Sequence, residues 1–427
     1  MSVATEKGLA PGGSVTMLRR LRQIVGQEGC RGLWSRLRYR KRRVSQPQVT
    51  AITRNVWIAG HGGFATDLGA ALSALGHPCL SETALRLLPS RRSRFHIDPD
   101  LSGRDFGHDD ILVLSCPVGD PVALLRQAGR CHSIIETRQD RMARWLDLGI
   151  PAGKLFLIGR KTLRRDLYRF LLATGTIGAD DADWRRLADL HQLPKVPRLC
   201  LSLPETPLRQ GFFLQQDLPG FRLVAGIRRN PGWIGAGVGF RMMARACLAA
   251  RVGSAILCED DLIAGSDFED RLEGVLAYLD QTGWDVFSGL STDIDASYRV
   301  TAVQRFRGQT FVHLNRTTGM VFNIFSPRAL DWLARWSPAR QGVPIDRHLE
   351  AMPRMRVVTT LPFLVDHADG LESSAWGFSN RRYRSLIAAS ESRLARMVAA
   401  FEASGTPPRP VLRAQPRARV WYGRAGL

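Results

Sequence analysis

Residues 255–261 have the sequence AILCEDD, in which four apolar residues run directly into three acidic ones. The apolar run predicts a buried strand, because short continuous apolar runs are typical of strands covered on both faces of a sheet. In an open α/β sheet, ligands bind beyond the carboxyl ends of the strands, which is where the triplet Glu259-Asp260-Asp261 would project. The sequence therefore predicts an α/β fold with a functional edge at this triplet.

The acidic triplet has the chemistry of a divalent-cation site. Clustered carboxylates suit hard cations such as Mn²⁺ or Mg²⁺, which take oxygen ligands and can share them with phosphates. We predict that Glu259 and Asp261 hold the metal, because alternate residues of the triplet can face one ion while Asp260 faces elsewhere. The alternative is an acidic turn that contacts only solvent.

Strands and helices alternate on both sides of the triplet, which predicts a parallel α/β arrangement. The predicted strands are Leu199–Leu203, Ala255–Cys258 and Asp285–Ser288, with further apolar runs at Gly319–Phe325 and Val357–Val365. The predicted helices are Ala236–Ala250, Phe268–Leu279 and one that begins at Pro327. An irregular stretch separates Ser288 from Gly319. These elements define a predicted domain at residues 198–380.

A first α/β unit is predicted at residues 51–175, joined to the second by an acidic, proline-bearing linker at 176–197. Its strands are predicted at Asn55–Ala59, Ile111–Ser115, Ser133–Ile135 and Leu155–Ile158. Its helices are predicted at 68–75, 121–128, 138–148 and 162–173. The glycine loop at 60–63 either holds a phosphate at a helix N-terminus or serves only as a tight turn.

Five motifs around the triplet follow one another in an order that resembles glycosyltransferase family 25, the lipooligosaccharide and collagen galactosyltransferase type. The resemblance covers residues 198–377 and depends on the order of the motifs. The matching stretches are LCLSLPETPLRQ (199–210), GWIGAGVGFRMMARACLA (232–249), AILCEDDL (255–262), VPIDRHLE (343–350) and LPFLVDHADGLESSAWG (361–377).

This resemblance implies a GT-A type fold and an inverting transfer of a sugar, with galactose a candidate, from a nucleoside-diphosphate donor. The expected donor is a UDP-sugar, and the expected acceptor is a hydroxyl of a glycan or glycolipid in the synthesis of lipopolysaccharide or another surface polysaccharide. The donor-binding residues assigned in this way are Ser202, Arg209, Gly235, Gly239, Arg241 and Asp260. The acceptor-binding residues assigned by family precedent are Ser373 and Ser374.

The acceptor hydroxyl must lose a proton as it attacks, so a carboxylate is needed as the base. Asp346, which matches the aspartate of the family's PVD motif, is the predicted catalytic base. The alternative is that Asp346 is the N-cap of the helix that holds His348 and Leu349. His367 is either a further metal or phosphate contact or a structural residue after an apolar strand.

The first α/β unit resembles the N-terminal Rossmann-like half of GT-B glycosyltransferases over residues 54–174. The stretches GHGGFATDLGAALSALGHPC (60–79) and LGIPAGKLFLIG (148–159) carry this resemblance. The predicted fold is therefore α/β with two Rossmann-like units, the second of GT-A type, and basic extensions at both ends.

The net charge of +21 is concentrated at those two ends, since residues 1–50 carry +9 and residues 376–427 carry +8. Apolar residues at helical spacing among the arginines of 1–50 predict basic amphipathic helices on an anionic membrane, with an arm docked on its own protein as the alternative. Residues 381–427 are predicted to form a helix and a basic, proline-rich tail. The nearly neutral body between the ends argues against nucleic-acid binding.

Composition narrows the class of protein further. Hydrophobic residues make up 44% of the 427-residue chain and charged residues 23%, which is typical of a globular protein rather than a disordered one. The seven cysteines show no paired spacing, which argues against a disulfide framework and a zinc site. Because the sequence shows no secretory signal and no run of about 18 apolar residues, we expect a cytoplasmic protein. If the basic arm binds lipid, we expect the protein to be peripheral on the inner face of the cytoplasmic membrane.

One departure from the family pattern leaves a second function open. Gly239-Phe240 stand where the family usually has Ser-His. The alternative function is therefore a catalytically inactive, glycosyltransferase-like protein that binds a sugar or a partner without turnover.

Overall fold

The computed structural model describes residues 49–80, 93–187, 190, 192–371 and 381–405. The chain divides into two compact units, Met1–Pro47 and Gln48–Leu427, and the described residues all belong to the second. The basic arm up to residue 48, the tail from residue 406, and Ser373 and Ser374 lie outside the described residues.

A parallel five-stranded sheet with the strand order β1-β2-β3-β4-β5 forms the first part of the described chain. We call residues 49–174 the five-stranded module. Its strands are β1 (Val56–Ala59), β2 (Ser93–Ile97), β3 (Asp110–Leu114), β4 (Ser133–Glu136) and β5 (Leu155–Leu157). Its helices are α1 (Gly63–Ala74), α2 (Pro121–Ala128), α3 (Gln139–Asp147) and α4 (Leu163–Thr174). The predicted Rossmann-like α/β unit is confirmed, although the sequence reading missed β2.

Different helices cover the two faces of this sheet. Ile111 and Ile135 belong to an apolar layer that includes residues of α1 and α4. Their chain neighbours Leu112 and Ile134 belong to another layer, which includes residues of α2 and α3. Successive side chains of a strand point to opposite faces, so both faces of the sheet are apolar. This double burial is why the strands read as continuous apolar runs in the sequence.

An eight-stranded mixed sheet with the strand order β11-β12-β14-β10-β13-β8-β6-β7 forms the second part. We call residues 198–371 the eight-stranded module. Its strands are β6 (Arg198–Ser202), β7 (Phe221–Ala225), β8 (Ala255–Glu259), β10 (Val286–Ser288), β11 (Val300–Phe306), β12 (Gln309–Leu314), β13 (Phe322–Phe325) and β14 (Val357–Leu361), and a separate pair is β9 (Leu262–Ala264) and β15 (Val365–His367). Its helices are α6 (Pro207–Leu214), α7 (Gly232–Ala249), α8 (Phe268–Leu279), α9 (Pro327–Ala334), α10 (Pro338–Gln341) and α11 (Ile345–Glu350). The helix α12 (Arg381–Ala403) follows this module.

The stretch between Ser288 and Gly319, which was expected to be irregular, contains the antiparallel hairpin β11–β12. The apolar run Val357–Val365 is also not one strand. It divides into β14 and the start of β15, and Pro362 lies between them. The residues of β11, VTAVQRF, do not alternate strictly between polar and apolar, and most of them are only partly buried, so no strand pattern marks the hairpin.

The strand directions give the eight-stranded sheet one functional edge. The strands β6 and β8 are parallel, β8 and β10 are each antiparallel to β13, and β10 and β14 are parallel. The carboxyl ends of β6, β8, β10 and β14 therefore meet at the same edge of the sheet. We call it the acidic edge, because the triplet Glu259–Asp261 ends β8 there.

The predicted linker at 176–197 packs against the eight-stranded module. It contains the short helix α5 (Trp184–Leu187). Ala179, Ala182 and Leu187 are buried in the same apolar core as the strands of that module. The segment therefore contributes to the core rather than acting as an exposed tether.

Candidate active site

The middle residue of the triplet, Asp260, is held by two side chains from β6 and α6. Ser202 at the end of β6 donates its hydroxyl to Asp260 Oδ2 at 2.6 Å. The Nε of Arg209, on α6, donates to Asp260 Oδ1 at 2.8 Å. All three side chains are buried. The structure therefore brings together three of the predicted donor-site residues, and it does so through contacts among themselves.

Asp261, the last residue of the triplet, contacts a guanidinium and an imidazole. Arg209 Nη2 lies 2.9 Å from Asp261 Oδ2, and His367 Nε2 lies 3.2 Å from the same oxygen. Burial would raise the pKa of Asp261, but the charges and hydrogen bonds of Arg209 and His367 hold it well below its ordinary value. Asp261 is therefore ionised at neutral pH.

The β9–β15 pair positions His367 beside the triplet. The strand β9 begins one residue after Asp261, and its first residue, Leu262, pairs with His367 in β15. The backbone N–H of Ala368 also donates to the carbonyl of Asp261 at 2.7 Å. The neighbouring Asp366, on the other face of β15, is exposed and accepts a hydrogen bond from the backbone N–H of His367 at 2.8 Å. His367 therefore contacts the triplet, and a role in binding a metal or a phosphate stays a prediction.

Arg209 is the cation of this cluster. Burial opposes its charge, but the charges of Asp261 and Asp260 outweigh burial and raise the pKa of Arg209 above its ordinary value. One guanidinium thus partly compensates the two neighbouring carboxylates.

Glu259, the first residue of the triplet, lies at the end of β8 and is partly exposed. Burial and the charge of Asp261 raise its pKa to about 8 against the opposing charge of Arg209, and Asp260 and Asp346 add to the rise. The helix α11, which carries Asp346, contacts the chain just before β13, where the Thr318 hydroxyl donates to Glu350.

Asp346 lies in the first turn of α11, one residue inside the helix. The N-cap of α11 is Pro344, so the alternative assignment of Asp346 as the N-cap is wrong. Asp346 Oδ1 accepts a hydrogen bond from the backbone N–H of Arg347 at 2.9 Å. Burial raises the pKa of Asp346 above its ordinary value, against the charge of Arg347. A raised pKa makes a carboxylate a stronger proton acceptor.

The donor set for a metal is incomplete in the described residues. Glu259 and Asp261 are carboxylates of the type that hard cations bind, and His367 supplies an imidazole beside them. No group of three or more His, Cys, Asp or Glu side chains is arranged to hold a metal ion in the part of the chain that the structure describes. The side-chain types fit a divalent cation, and the metal stays a prediction.

Two glycines that were assigned to the donor site have packing roles in α7. A Cβ on Gly235 would lie 2.0 Å from the carbonyl oxygen of Ile227, and a Cβ on Gly239 would lie 2.6 Å from the side chain of Leu201. No side chain fits at either position unless the backbone or its neighbour moves. These glycines allow α7 to approach β6 and the chain after β7, and their contact with a donor stays a prediction.

Arg241 is buried on α7 away from the hydrogen bonds of the triplet. Its guanidinium donates to the carbonyls of Ala179 and Trp336, the latter at 3.2 Å, and it pairs with Asp180 at 3.3 Å. These contacts fasten the segment after α4 to the eight-stranded module. They give Arg241 a structural role, and a contact with the diphosphate stays a prediction.

A polar cluster at the acidic edge was missed by the sequence reading. Asp293 follows β10, and burial with the charge of Asp295 raises its pKa, against Arg347. Glu350 accepts from Arg347 at 2.8 Å and pairs with Arg316 at 3.0 Å. The strand end at Ser288 could have identified Asp293, because β8 and β10 end at the same edge.

The comparisons with known proteins identify no family for this chain. No protein-family model and no curated protein matches the chain. Among solved structures, the chain is similar to A197 from STIV, with 15% sequence identity and a TM-score of 0.25, and the match covers 39% of this chain and 84% of that chain. A TM-score this low supports no argument about the function of the site. Its chemistry therefore has to be argued from its own residues.

Proposed function

We propose that this protein is a GT-A type glycosyltransferase that transfers a sugar, with galactose a candidate, from a nucleoside-diphosphate donor to a hydroxyl of a glycan or glycolipid. One observation carries the proposal. The acidic triplet lies at the carboxyl end of β8, where Arg209 and His367 hold Asp261 at 2.9 and 3.2 Å. Ligands of open α/β sheets bind at such an edge. The triplet would supply oxygen ligands for the metal ion that accompanies the donor diphosphate, and Asp346 would supply the carboxylate that acts as the base.

The leaving group of this reaction is a nucleoside diphosphate, for which a UDP-sugar is the proposed source. Glu259 and Asp261 would hold a Mn²⁺ or Mg²⁺ ion, which would stabilise the negative charge that develops on the diphosphate. Arg209 keeps Asp261 ionised and fixes Asp260 in place. Ser202 holds the other oxygen of Asp260, so the strand end is rigid before the donor arrives.

Asp346 is the proposed base. In an inverting transfer, the acceptor hydroxyl attacks the sugar carbon as the bond to the diphosphate breaks, and the hydroxyl proton goes to the Asp346 carboxylate. Burial raises the pKa of Asp346 and thereby strengthens it as a proton acceptor. The cluster of Asp293, Glu350 and Arg347 lies on the same side as Asp346 and is suited to hydrogen-bond a polyhydroxylated acceptor.

A second candidate function is a donor-binding or partner-binding protein without turnover. The observation that favours it is the position of Arg209, whose guanidinium bridges Asp260 and Asp261. If Arg209 remains there when a ligand binds, its positive charge replaces part of the charge that a metal would supply. The site could then bind a ligand without the metal that the transfer reaction needs.

The deciding experiment is a thermal-shift screen of nucleoside-diphosphate sugars with the full chain, with and without Mn²⁺. Binding to the native state raises the melting temperature by mass action. We expect a Mn²⁺-dependent shift with one donor and Mn²⁺-dependent hydrolysis or transfer of that donor. A shift without turnover would favour the non-catalytic candidate, and no shift with any donor would contradict the glycosyltransferase and leave only partner binding.

We also propose that the basic arm directs the protein to an anionic membrane, where surface polysaccharide precursors are assembled. No helix of the described residues is long and apolar enough to cross a membrane. The arm's arginines and apolar residues would instead supply electrostatic and interfacial attraction. Deletion of residues 1–44 should abolish sedimentation with anionic liposomes at low salt, and unchanged sedimentation would contradict the proposal.

A further inference from the structure

A cavity of about 420 Å³ opens at the carboxyl edge of the five-stranded sheet. Its lining residues come from the loops after three strands, and they are Ser115, Thr137, Arg138, Gly159, Arg160, Lys161 and Thr162. Three of them are basic, three carry hydroxyl groups and none is acidic. The volume is within the range of small-molecule sites in proteins. We call this region the basic cavity.

The topology explains why a crevice forms at this place. After β4, the chain enters α3, whose Met142 and Trp145 pack on one face of the sheet. After β5, it enters α4, whose Leu167 and Phe170 pack on the opposite face. The strands β4 and β5 are neighbours, so the loops after them leave in opposite directions and open a gap between them. Ligands of open α/β sheets bind in such gaps.

The backbone around the basic cavity is also suited to an anion. The helices α3 and α4 both begin at its wall, with Arg138 and Thr162 as their N-caps. Within the described part of the chain, neither N-cap side chain makes a capping hydrogen bond to the first turn. The N-terminal ends of helices favour negative charge, and Asp140 in α3 and Asp166 in α4 already supply part of it.

The acidic residues nearest to the cavity are already compensated. Glu136 accepts from Trp145 Nε1 at 2.8 Å and pairs with Arg141 at 2.7 Å. Asp166 accepts from the Gly159 N–H at 3.1 Å and from the Thr162 hydroxyl. These carboxylates therefore hold the loops in place. Arg138 pairs with Asp140 at 2.7 Å, so a ligand in the cavity would depend on the charges of Arg160 and Lys161.

We propose that the basic cavity binds a small molecule through a phosphate or diphosphate group, independently of the acidic edge. Arg160 and Lys161 would bind phosphate oxygens as charge-assisted donors. The hydroxyls of Ser115 and Thr137, which donate to Asp98 and to the carbonyl of Leu114, could accept or exchange a hydrogen bond with the ligand. Gly159 allows the loop after β5 to fold close to Thr162, because a Cβ there would lie 2.6 Å from the Thr162 hydroxyl oxygen. A nucleotide and a sugar phosphate share this chemistry.

The test uses isothermal titration of the full chain with inorganic pyrophosphate in EDTA at low salt, so that metal-dependent binding at the acidic edge is silent. We expect the double variant Arg160→Gln/Lys161→Gln to bind pyrophosphate at least about tenfold more weakly, since it loses two charged donors. The matched control is Arg126→Gln/Arg130→Gln, which removes two exposed arginines at the C-terminal end of α2 in the same module. Equal weakening in the two double variants, or no weakening in either, would overturn the proposal.

Folding and ligand class are checked in the same experiment. Arg160 and Lys161 are exposed, so both double variants should keep the wild-type melting temperature, and the single variant Lys161→Gln should show an intermediate loss of binding. UDP and glucose 1-phosphate distinguish a nucleotide from a sugar phosphate as the tighter ligand. Uridine, which has no phosphate, should not bind, and uridine binding as tight as that of UDP would overturn the proposal.

Discussion

The carboxyl edges of the two sheets occupy equivalent positions in their modules but carry opposite charge. At the acidic edge, β8 ends with Glu259 and is followed by Asp260 and Asp261, which Arg209 partly compensates. At the basic cavity, arginine and lysine side chains follow β4 and β5. The position of a ligand site therefore follows from topology, whereas the class of ligand follows from the residues at the strand ends. An acidic edge needs a cation to bind a phosphate, and a basic edge does not.

The largest effect is expected from Asp346→Asn. If the acidic edge performs the chemistry, this variant should keep donor binding and lose transfer by about two to four orders of magnitude, because the amide cannot accept the acceptor proton. Initial rates of transfer measure the loss, and a thermal shift with donor shows whether donor binding is kept. Asp366→Asn is the matched control. A comparable loss of transfer in Asp366→Asn alone would show that Asp366, and not Asp346, is the base.

Arg209→Met should cause the largest loss of stability. The variant leaves Asp260 and Asp261 buried without their cation, and breaking a buried pair in this way costs about 3–5 kcal/mol. Urea unfolding of the variant and the wild type measures the difference. Arg198→Met, which breaks the more exposed pair of Arg198 with Glu269 at 2.7 Å, is the control and should cost much less. Equal losses in the two variants would contradict the expectation that the buried pair of Arg209 contributes more to stability than the more exposed pair of Arg198.

Asp261→Asn should weaken Mn²⁺-dependent donor binding by at least about tenfold, because the amide supplies a weaker ligand for a hard cation. Pyrophosphate binding at the basic cavity in EDTA should stay at the wild-type level. Titration of donor in the presence of Mn²⁺ provides the measurement. Asp267→Asn makes the same charge change at an exposed position six residues away and serves as the control. Wild-type donor affinity in Asp261→Asn would exclude the triplet as the metal site.

The smallest effect concerns the pH dependence of stability. The raised pKa of Glu259, about 8, means that the folded state holds a proton that the unfolded state releases at lower pH. This stabilisation is present below the ordinary carboxyl pKa and is lost as pH rises through about 8. The unfolding free energy of the wild type should therefore fall between about pH 6 and 8.

Glu259→Gln should flatten that slope, because the amide does not titrate. Urea unfolding at several pH values measures the slope directly. Glu273→Gln, at an exposed site on α8, is the control and should retain the wild-type slope. A slope that Glu259→Gln leaves unchanged would assign the pH dependence to other groups.

The sequence predicted the elements whose pattern is local. The helices over Pro121–Ala128 and Phe268–Leu279 have the predicted bounds, because their apolar periodicity is complete within each helix. It missed β2, whose basic and polar residues obscure a strand that pairs with β1 and β3 on both sides. The hairpin β11–β12 was missed for a related reason, since pairing with β14 fixes it.

The candidate site was likewise predicted only where its residues are adjacent in sequence. The sequence was enough to place the acidic triplet at the end of a buried strand, because the apolar run and the three carboxylates are adjacent in the chain. The sequence could not show that Arg209 compensates Asp260 and Asp261, or that Arg241 instead binds carbonyls of Ala179 and Trp336. Arginines have the same chemistry everywhere in a chain, so only their neighbours in space distinguish a site residue from a structural one.

By itself, then, the sequence determined the α/β class, the strand end that carries the acidic triplet and the concentration of basic charge at the two ends. Tertiary structure alone decided that β9 and β15 pair and bring His367 to Asp261, two residues more than a hundred positions apart. It alone decided that the loops after β4 and β5 separate and leave the basic cavity between them. The physical reason is that charge and hydropathy are properties of single residues, whereas strand order, crossover direction and ion pairing depend on residues far apart in the chain.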